Sequence, residues 1–436
     1  MSNRRKWAAL CLPAAMIAVA GCSGGEKPPE PSAAVQEKPP EPFKLTIYAS
    51  GVKPEEFDTR FRSSLEKKFP HITFDYQTNT TGNAINNKVA QGDIPDIIRT
   101  DAPSMKASYL DLQLGYDLTE LVKKNKYDLN RFVPSFIQDN IAAGQTGALY
   151  GLPVPPYFPA VLYYNIDLFD KFGVPYPKDG MSWDEIYDLS KRLSRVDGDK
   201  VIRGYTGALS AQLRDNVFSH PILDPSKDGL ADHETWKKIF NNFLRFYSIP
   251  NNEIQNTPAL ESGLFAKGES AIHLGQHNIY YIVPPEVNWN IVSVPSMKDA
   301  PQRMGQRSPA YWSITRQSKY KDEAFQVIMH MLSDEIQMED SRQGITTTLV
   351  NKDIQNALGK GHPIYSTKNM KALLVYPPTD PTPKREAGKT DVGGSAQDNL
   401  LQQTFIKIAQ NKTDLNTGIR ELDELLKKEV EKERSK

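Results

Sequence analysis

Cysteine is almost missing from this 436-residue chain: the two present are Cys11 and Cys22. Both fall at the amino-terminal end, so the body after Cys22 holds no thiol. Disulfides, cysteine-ligated metals and cysteine nucleophiles are excluded from that body by counting alone. An excess of either charge is missing too, with 53 Lys and Arg against 53 Asp and Glu. Such a balance argues against nucleic acid or an anionic membrane surface as partner. No run beyond the first 22 residues is apolar enough to span a bilayer, which takes roughly 20 residues. The sequence has no HExxH and no GxSxG. Ala387-Gly-Lys-Thr390 resembles the tail of a phosphate loop, but Pro383 stands where that loop needs its first glycine. His273 and His277 are four apart with Gly275 between them and no third ligand nearby, so neither a metal nor a cofactor is expected.

What is present begins with Arg4, Arg5 and Lys6, then an apolar run over residues 7–20, then Val19-Ala-Gly-Cys22. A basic start, a short apolar stretch and small residues at the cut form an export signal over residues 1–21. The last four residues resemble the lipobox of bacterial lipoproteins. That resemblance implies cleavage before Cys22, a lipid on its sulfur, fatty acyl chains such as palmitate, and a membrane anchor on the extracytoplasmic face. Removing Arg4, Arg5 and Lys6 from the 53 basic residues leaves 50 against 53 acidic, a net charge of about −3. Cutting 21 of 436 residues leaves 415, too many for one core, so two or more lobes are expected. Residues 22–42, rich in Pro, Glu, Lys and Ser, read as a disordered tether with little to bury.

From Phe43 the texture changes. Residues 43–50 alternate as a strand, and Phe57, Phe61, Leu65 and Phe69 mark a helix with Pro54 in its first turn. Strands over 71–77 and 95–101, with a short helix over 84–90, complete a pattern of parallel sheet covered on both faces. Further strands are expected at 148–153, 160–165, 270–274, 289–294 and 310–315. Ser182-Trp-Asp-Glu185 predicts a capping box opening a helix that buries Ile186, Leu189 and Leu193. Helices at 232–248, 258–267, 321–332, 396–410 and 414–433 follow. Tyr163 and Tyr164 belong on opposite faces of their strand, which makes them core residues rather than a phenolate pair for iron; Tyr280-Tyr281 raises the same question.

Four stretches resemble, in order, the extracellular solute-binding proteins of ABC importers, in their maltose-binding-protein-like carbohydrate group. They are Gly92-Asp-Ile-Pro-Asp-Ile-Ile98; the block of Tyr150-Gly-Leu-Pro153, Val161-Leu-Tyr-Tyr-Asn165, Leu168 to Pro175 and Ser182 to Glu185; Phe265 to Ile272; and Ser313 to Leu332. The resemblance covers residues 43–430. It implies an α/β chain with the two-lobe, type II periplasmic-binding-protein-like fold, a hinge and an interlobe cleft. Lobe one would be 43–157 plus 307–347, and lobe two 160–304 plus 350–436. It further implies a monomeric, non-enzymatic trap for a small-molecule solute, an oligosaccharide by family, delivered to ABC permease subunits. A surface-anchored enzyme acting on polysaccharide, or a trap for a non-sugar solute, is the alternative.

Ligands of such folds lie at the carboxyl ends of strands. Sugars call for aromatic faces and for planar polar groups that bond vicinal hydroxyls. Strand ends then nominate Ser50 with Gly51, Asn79, Thr80, and Asp101 with Thr100. The crossing segment nominates Tyr157. Gln276 and His277 follow the 270–274 strand, Tyr311 and Trp312 follow the return through the hinge, and Tyr376 precedes a Pro-rich loop. Each has a structural alternative: Asp101 as a cap, Tyr157 as hinge packing, Trp312 as core, His277 as a surface histidine, and the run near residue 80 as a polar loop.

Overall fold

The computed structural model describes residues 41–80, 82–278, 281 and 283–435. The signal peptide, Cys22 and nearly all of the tether lie outside the described residues, as does Tyr280.

The strands are β1 (Phe43–Ala49), β2 (Ile72–Thr78), β3 (Ile97–Thr100), β4 (Leu152–Val154) and β5 (Phe158–Asn165), then a hairpin of β6 (Arg195–Asp197) and β7 (Lys200–Ile202). After it come β8 (Thr206–Gly207), β9 (Ile272–Gln276), β10 (Trp289–Ser293), β11 (Gln306–Arg307) and β12 (Ala310–Ile314). The first sheet has the order β2-β1-β3-β12-β4. β1, β2 and β3 are mutually parallel, with Phe43 opposite Ile72 and Ile47 opposite Ile97. Both faces are covered: Leu45, Ile47 and Ala49 enter one apolar core, and Tyr48 and Ile98 enter another. The helix over 54–68 supplies the first core through Phe57, Phe61 and Leu65, all buried. Their spacing of four puts them on one stripe, and each contributes roughly 2–3 kcal/mol.

The second sheet, β10-β5-β9-β8, is mainly antiparallel, with β5 between β9 and β10. Only β8 runs parallel to its neighbour β9. Continuous apolar runs announce a strand buried on both faces but leave its direction open. β5 shows that double burial: Val161 and Tyr163 point into one core, Ala160, Leu162 and Tyr164 into another. The capping box forms as expected, with Ser182 and Glu185 bonding reciprocally ahead of the Trp183–Leu193 helix. The strand expected over 148–153 is reduced to β4. Tyr150 and Gly151 instead give their N–H groups to Asn140 Oδ1, at 2.9 and 3.2 Å, so they leave the ladder.

Among the described residues the chain passes between the two sheets three times. Residues 155–157 join β4 to β5. β11 pairs with β5 at Phe158 and Pro159, and three residues on, Ala310 pairs with Val154 in the first sheet. The third passage lies beside the first, where Thr346 and Thr348 donate to the carbonyls of Tyr157 and Pro153. A buried ion pair holds this region in place: Arg60 donates to Asp340, with Nη2 to Oδ2 at 2.7 Å, and to Pro155 O at 3.2 Å.

Candidate functional site

Because β12 runs against β1, β2 and β3, its amino-terminal end and their carboxyl ends lie along one edge of the first sheet. Ser50, Asn79 and Thr80 are exposed there. Asn79 Nδ2 donates to Ser50 Oγ at 3.3 Å, and Arg99 Nη1 donates to Ser50 O at 3.1 Å. Asp101 accepts the Ser104 N–H at 2.9 Å, so it caps the following turn. Its other oxygen stands 3.9 Å from Arg307 on β11. The sequence thus placed Ser50, Asn79, Thr80 and Asp101 on one polar edge beside the hinge.

Facing them on the second sheet are the ends of β8 and β9. Gln276, the last residue of β9, donates to Asp215, which also receives Arg214 through two bonds of 2.8 Å. Arg214 reaches on to Asp398 at 2.9 Å. Beside this chain opens a pocket of about 360 Å³ including its mouth. Its walls carry Trp183, Phe218, Phe243 and Met297, with Gln212 and Asn216 as polar members. Trp183 and Phe243 are buried in the second core, so the polar groups this side presents are the part-exposed Asp215 and Gln276.

A segment over 376–393 borders both walls. Met304 bridges Pro378, and Ser219 Oγ donates to Asp380 O at 2.7 Å. Buried Arg385 bonds the carbonyls of Asp224 and Lys227 at 2.6 Å each. On the other side Lys384 pairs with buried Asp139 at 3.0 Å, and Gln145 Nε2 donates to Arg385 O at 2.6 Å. The segment is therefore pinned to the second sheet's loops while it touches the first lobe's Pro134–Gly144 helix.

Other sequence candidates are placed away from the cleft surface. Tyr311 is fully buried, its hydroxyl 3.0 Å from Phe136 O and 3.2 Å from Asp139. Trp312 packs inside the first core, because its position on β12 faces that side. Tyr157 is buried against Phe136, and burial raises its hydroxyl pKa. His277 is buried, with Nε2 2.7 Å from Gly344 O, and burial holds its pKa down to about 4. The neutral ring donates that bond and ties β9 to the third hinge passage. His273 bonds Thr206 at 2.9 Å, so the two histidines have separate partners. Among the described residues, no group of three or more His, Cys, Asp or Glu is placed to hold a metal ion. Tyr376 is half-buried near Gly180, beside the second lobe's core.

Sequence reasoning missed Gln212, Arg214, Asp215, Asn216 and Lys384. A signal existed for four of them: Leu209 to Phe218 mixes polar and aromatic residues directly after a strand end, the position ligands favour. β8 spans only two residues, too short to be read as a strand.

A family model described as bacterial extracellular solute-binding protein matches residues 63–365. None of the curated proteins gives a significant match. Among solved structures, a sugar transporter from Rhizobium etli in an open conformation superposes with TM-score 0.68 at 18% identity, covering 89% of this chain and 99% of that one. An ABC substrate-binding protein from Listeria monocytogenes in complex with cycloalternan gives 0.65 at 17%, covering 89% and 99%. The sugar-binding protein MalE from Xanthomonas citri gives 0.66 at 16%, covering 90% and 98%. These likenesses show the α/β fold of two-lobed substrate-binding structures.

Proposed function

Since this chain belongs to the bacterial extracellular solute-binding proteins, we propose that it captures a sugar or oligosaccharide between its lobes and delivers it to the permease of an ABC importer. The observation that carries this reading is the meeting of two polar walls at one hinge. The exposed edge of Ser50, Asn79, Thr80 and Asp101 lies on one side, and the Gln276–Asp215–Arg214 chain on the other.

In this reading the lobes keep the bounds 43–157 plus 307–347 and 160–304 plus 350–436, save that the last crossing moves beyond the Lys352–Asn356 helix. Ile354 of the Lys352–Asn356 helix packs into the first core, while Leu358 and Tyr365 pack into the second lobe. Closure about the three passages binds solute to both walls and gives a permease one surface to read. The protein acts as a monomer without catalysis, held to the membrane through a lipid at Cys22.

A thermal-shift panel of mono- and oligosaccharides tests capture, because a tight ligand raises the melting temperature by mass action. A stoichiometric calorimetric signal without products supports the reading. Turnover of a glycan, or no response to any sugar, overturns it. Mass spectrometry of the amino-terminal peptide tests the anchor: a diacylglycerol adduct on Cys22 is expected, and an unmodified thiol removes it.

A further inference from the structure

Lys384 and Arg385 are neighbours in the segment over 376–393, yet their side chains bond to different lobes. The Arg385 guanidinium is buried in a socket of the second lobe. Its Nη1 donates to the carbonyls of Asp224 and Lys227 at 2.6 Å each, its Nη2 to Asp228 Oδ1 at 2.6 Å, and its Nε to Thr390 O at 3.1 Å. Four of its five hydrogens are thus committed. The Glu386 N–H adds a bond to Pro225 O at 3.0 Å. The backbone here therefore moves with the second lobe.

Lys384 reaches the other way. Its Nζ stands 3.0 Å from Asp139 Oδ1 on the Pro134–Gly144 helix of the first lobe. Asp139 is buried, and its other oxygen lies 3.2 Å from the Tyr311 hydroxyl. Among the described residues, no other cation pairs with it. One and a half turns on, Gln145 Nε2 donates to Arg385 O at 2.6 Å. Pro103 and Lys106, which follow β3, meet the same stretch: Lys106 lends positive charge to Asp391, and Pro103 Cβ would lie 3.5 Å from a Cβ on Gly394.

These contacts stand apart from the three hinge passages. The helix meets the hinge at Phe136, whose ring lies 5.1 Å from that of Tyr157. Gln145 is nine residues further along, about 14 Å at 1.5 Å per residue. Rotation about the hinge must therefore carry Asp139 and Gln145 away from the Arg385 socket. The weaker side yields first, and that is the ion pair with its one accompanying hydrogen bond. Parting leaves the Asp139 carboxylate buried without its cation, which is unfavourable.

We propose that residues 384–391 form a latch between the lobes, fixed to the second by Arg385 and clasped to the first by Lys384 on Asp139 and by Gln145. The latch holds the lobes together beside the cleft before any solute is bound. It rests on the two-lobe fold and not on the identity of the solute.

The test uses full-length protein in solution without solute. Lys384→Met keeps the side-chain stem and removes the charge, and Asp139→Asn keeps an acceptor for Tyr311. In small-angle X-ray scattering, both should raise the radius of gyration by about 1 Å over the compact value of about 21 Å for a chain this long. The double variant should expand no further, since the same pair is broken once. Lys389→Met, an exposed cation of the same segment, should leave the radius unchanged. Radii equal to wild type in both single variants overturn the latch. If Asp139→Asn fails to fold, Lys384→Met and Gln145→Ala decide, because both sites are part-exposed; unchanged radii in these two overturn it equally. Hydrogen exchange separates parting lobes from a fraying segment. The Glu386 amide should exchange as slowly in Lys384→Met as in wild type, because the segment stays on the second lobe; faster exchange there overturns the latch.

Discussion

On the first lobe's side of the cleft, Ser50, Asn79 and Thr80 lie exposed, with Asn79 donating to Ser50 Oγ and Arg99 donating to the Ser50 carbonyl. On the second lobe's side, Gln212 is wholly buried, and Asp215 and Gln276 are locked into chains that run to Arg214 and Asp398. Hydrated side chains rotate freely and adapt to different solutes, whereas buried, directional networks fix donors and acceptors in place. If the proposed capture holds, the first wall is suited to adaptable contact and the second to discrimination. Buried ionisable groups divide in a related way: Arg60 is sealed against Asp340 in an ion pair, whereas for Glu261, His273 and His277 burial is the largest influence and favours the neutral form.

This contrast is open to attack in four ways, from large effect to small. Asp340→Ala leaves Arg60 buried with only Glu56 as ionic partner, and it should cost about 3–5 kcal/mol in urea denaturation. The loss should be nearly the same at pH 5 and pH 8, since Arg60 stays charged throughout; a strongly pH-dependent loss breaks the distinction between lobes.

His277 and Glu261 should show opposite pH signs. The folded-state pKa of His277 is lowered to about 4, so the unfolded chain binds the extra proton and stability drops as pH falls from about 6.5 to 4. The drop is on the order of 3 kcal/mol, and His277→Asn should remove it when denaturation at pH 7 and pH 4.5 is compared. The folded-state pKa of Glu261 is raised to about 7 from 4.5. The stability it contributes is complete below pH 4.5 and is lost as pH rises through 7. Relative to wild type, Glu261→Gln should therefore gain about 3 kcal/mol between pH 5 and pH 8. A gain in the other direction would contradict burial as the cause.

Ser182→Ala, which removes the cap of the Trp183–Leu193 helix, should cost about 1 kcal/mol. Smaller still, Asn79→Ala should leave stability within about 0.5 kcal/mol, as an exposed site does. If Asn79 contacts solute, sugar affinity should nevertheless weaken severalfold.

Much of the fold was legible because its signals are local. Phe57, Phe61 and Leu65 repeat at helical spacing, Ser182 and Glu185 sit three apart, and Tyr163 and Tyr164 divide between two cores as alternation requires. The exposed edge of the candidate site was legible for the same reason: a polar residue after an apolar strand marks its carboxyl end. Aromatic candidates were less so, since a ring that can stack on sugar can equally fill a core. Tyr311 and Trp312 are buried because β12 returns to the middle of the first sheet, between β3 and β4.

The sequence by itself determined a thiol-free body of near-neutral charge, alternating strands and helices of two-lobe size, and the stretches that resemble solute-binding proteins. Tertiary structure alone decided the direction of the second sheet, the burial of His277 against Gly344, and the pairing of Lys384 with buried Asp139. The reason is range. Periodicity and capping act within a turn or two, but Gln212 meets Tyr247 35 residues on, and Arg214 meets Asp398 184 residues on. Which polar groups lose water, and which partner replaces it, is fixed only when distant segments pack.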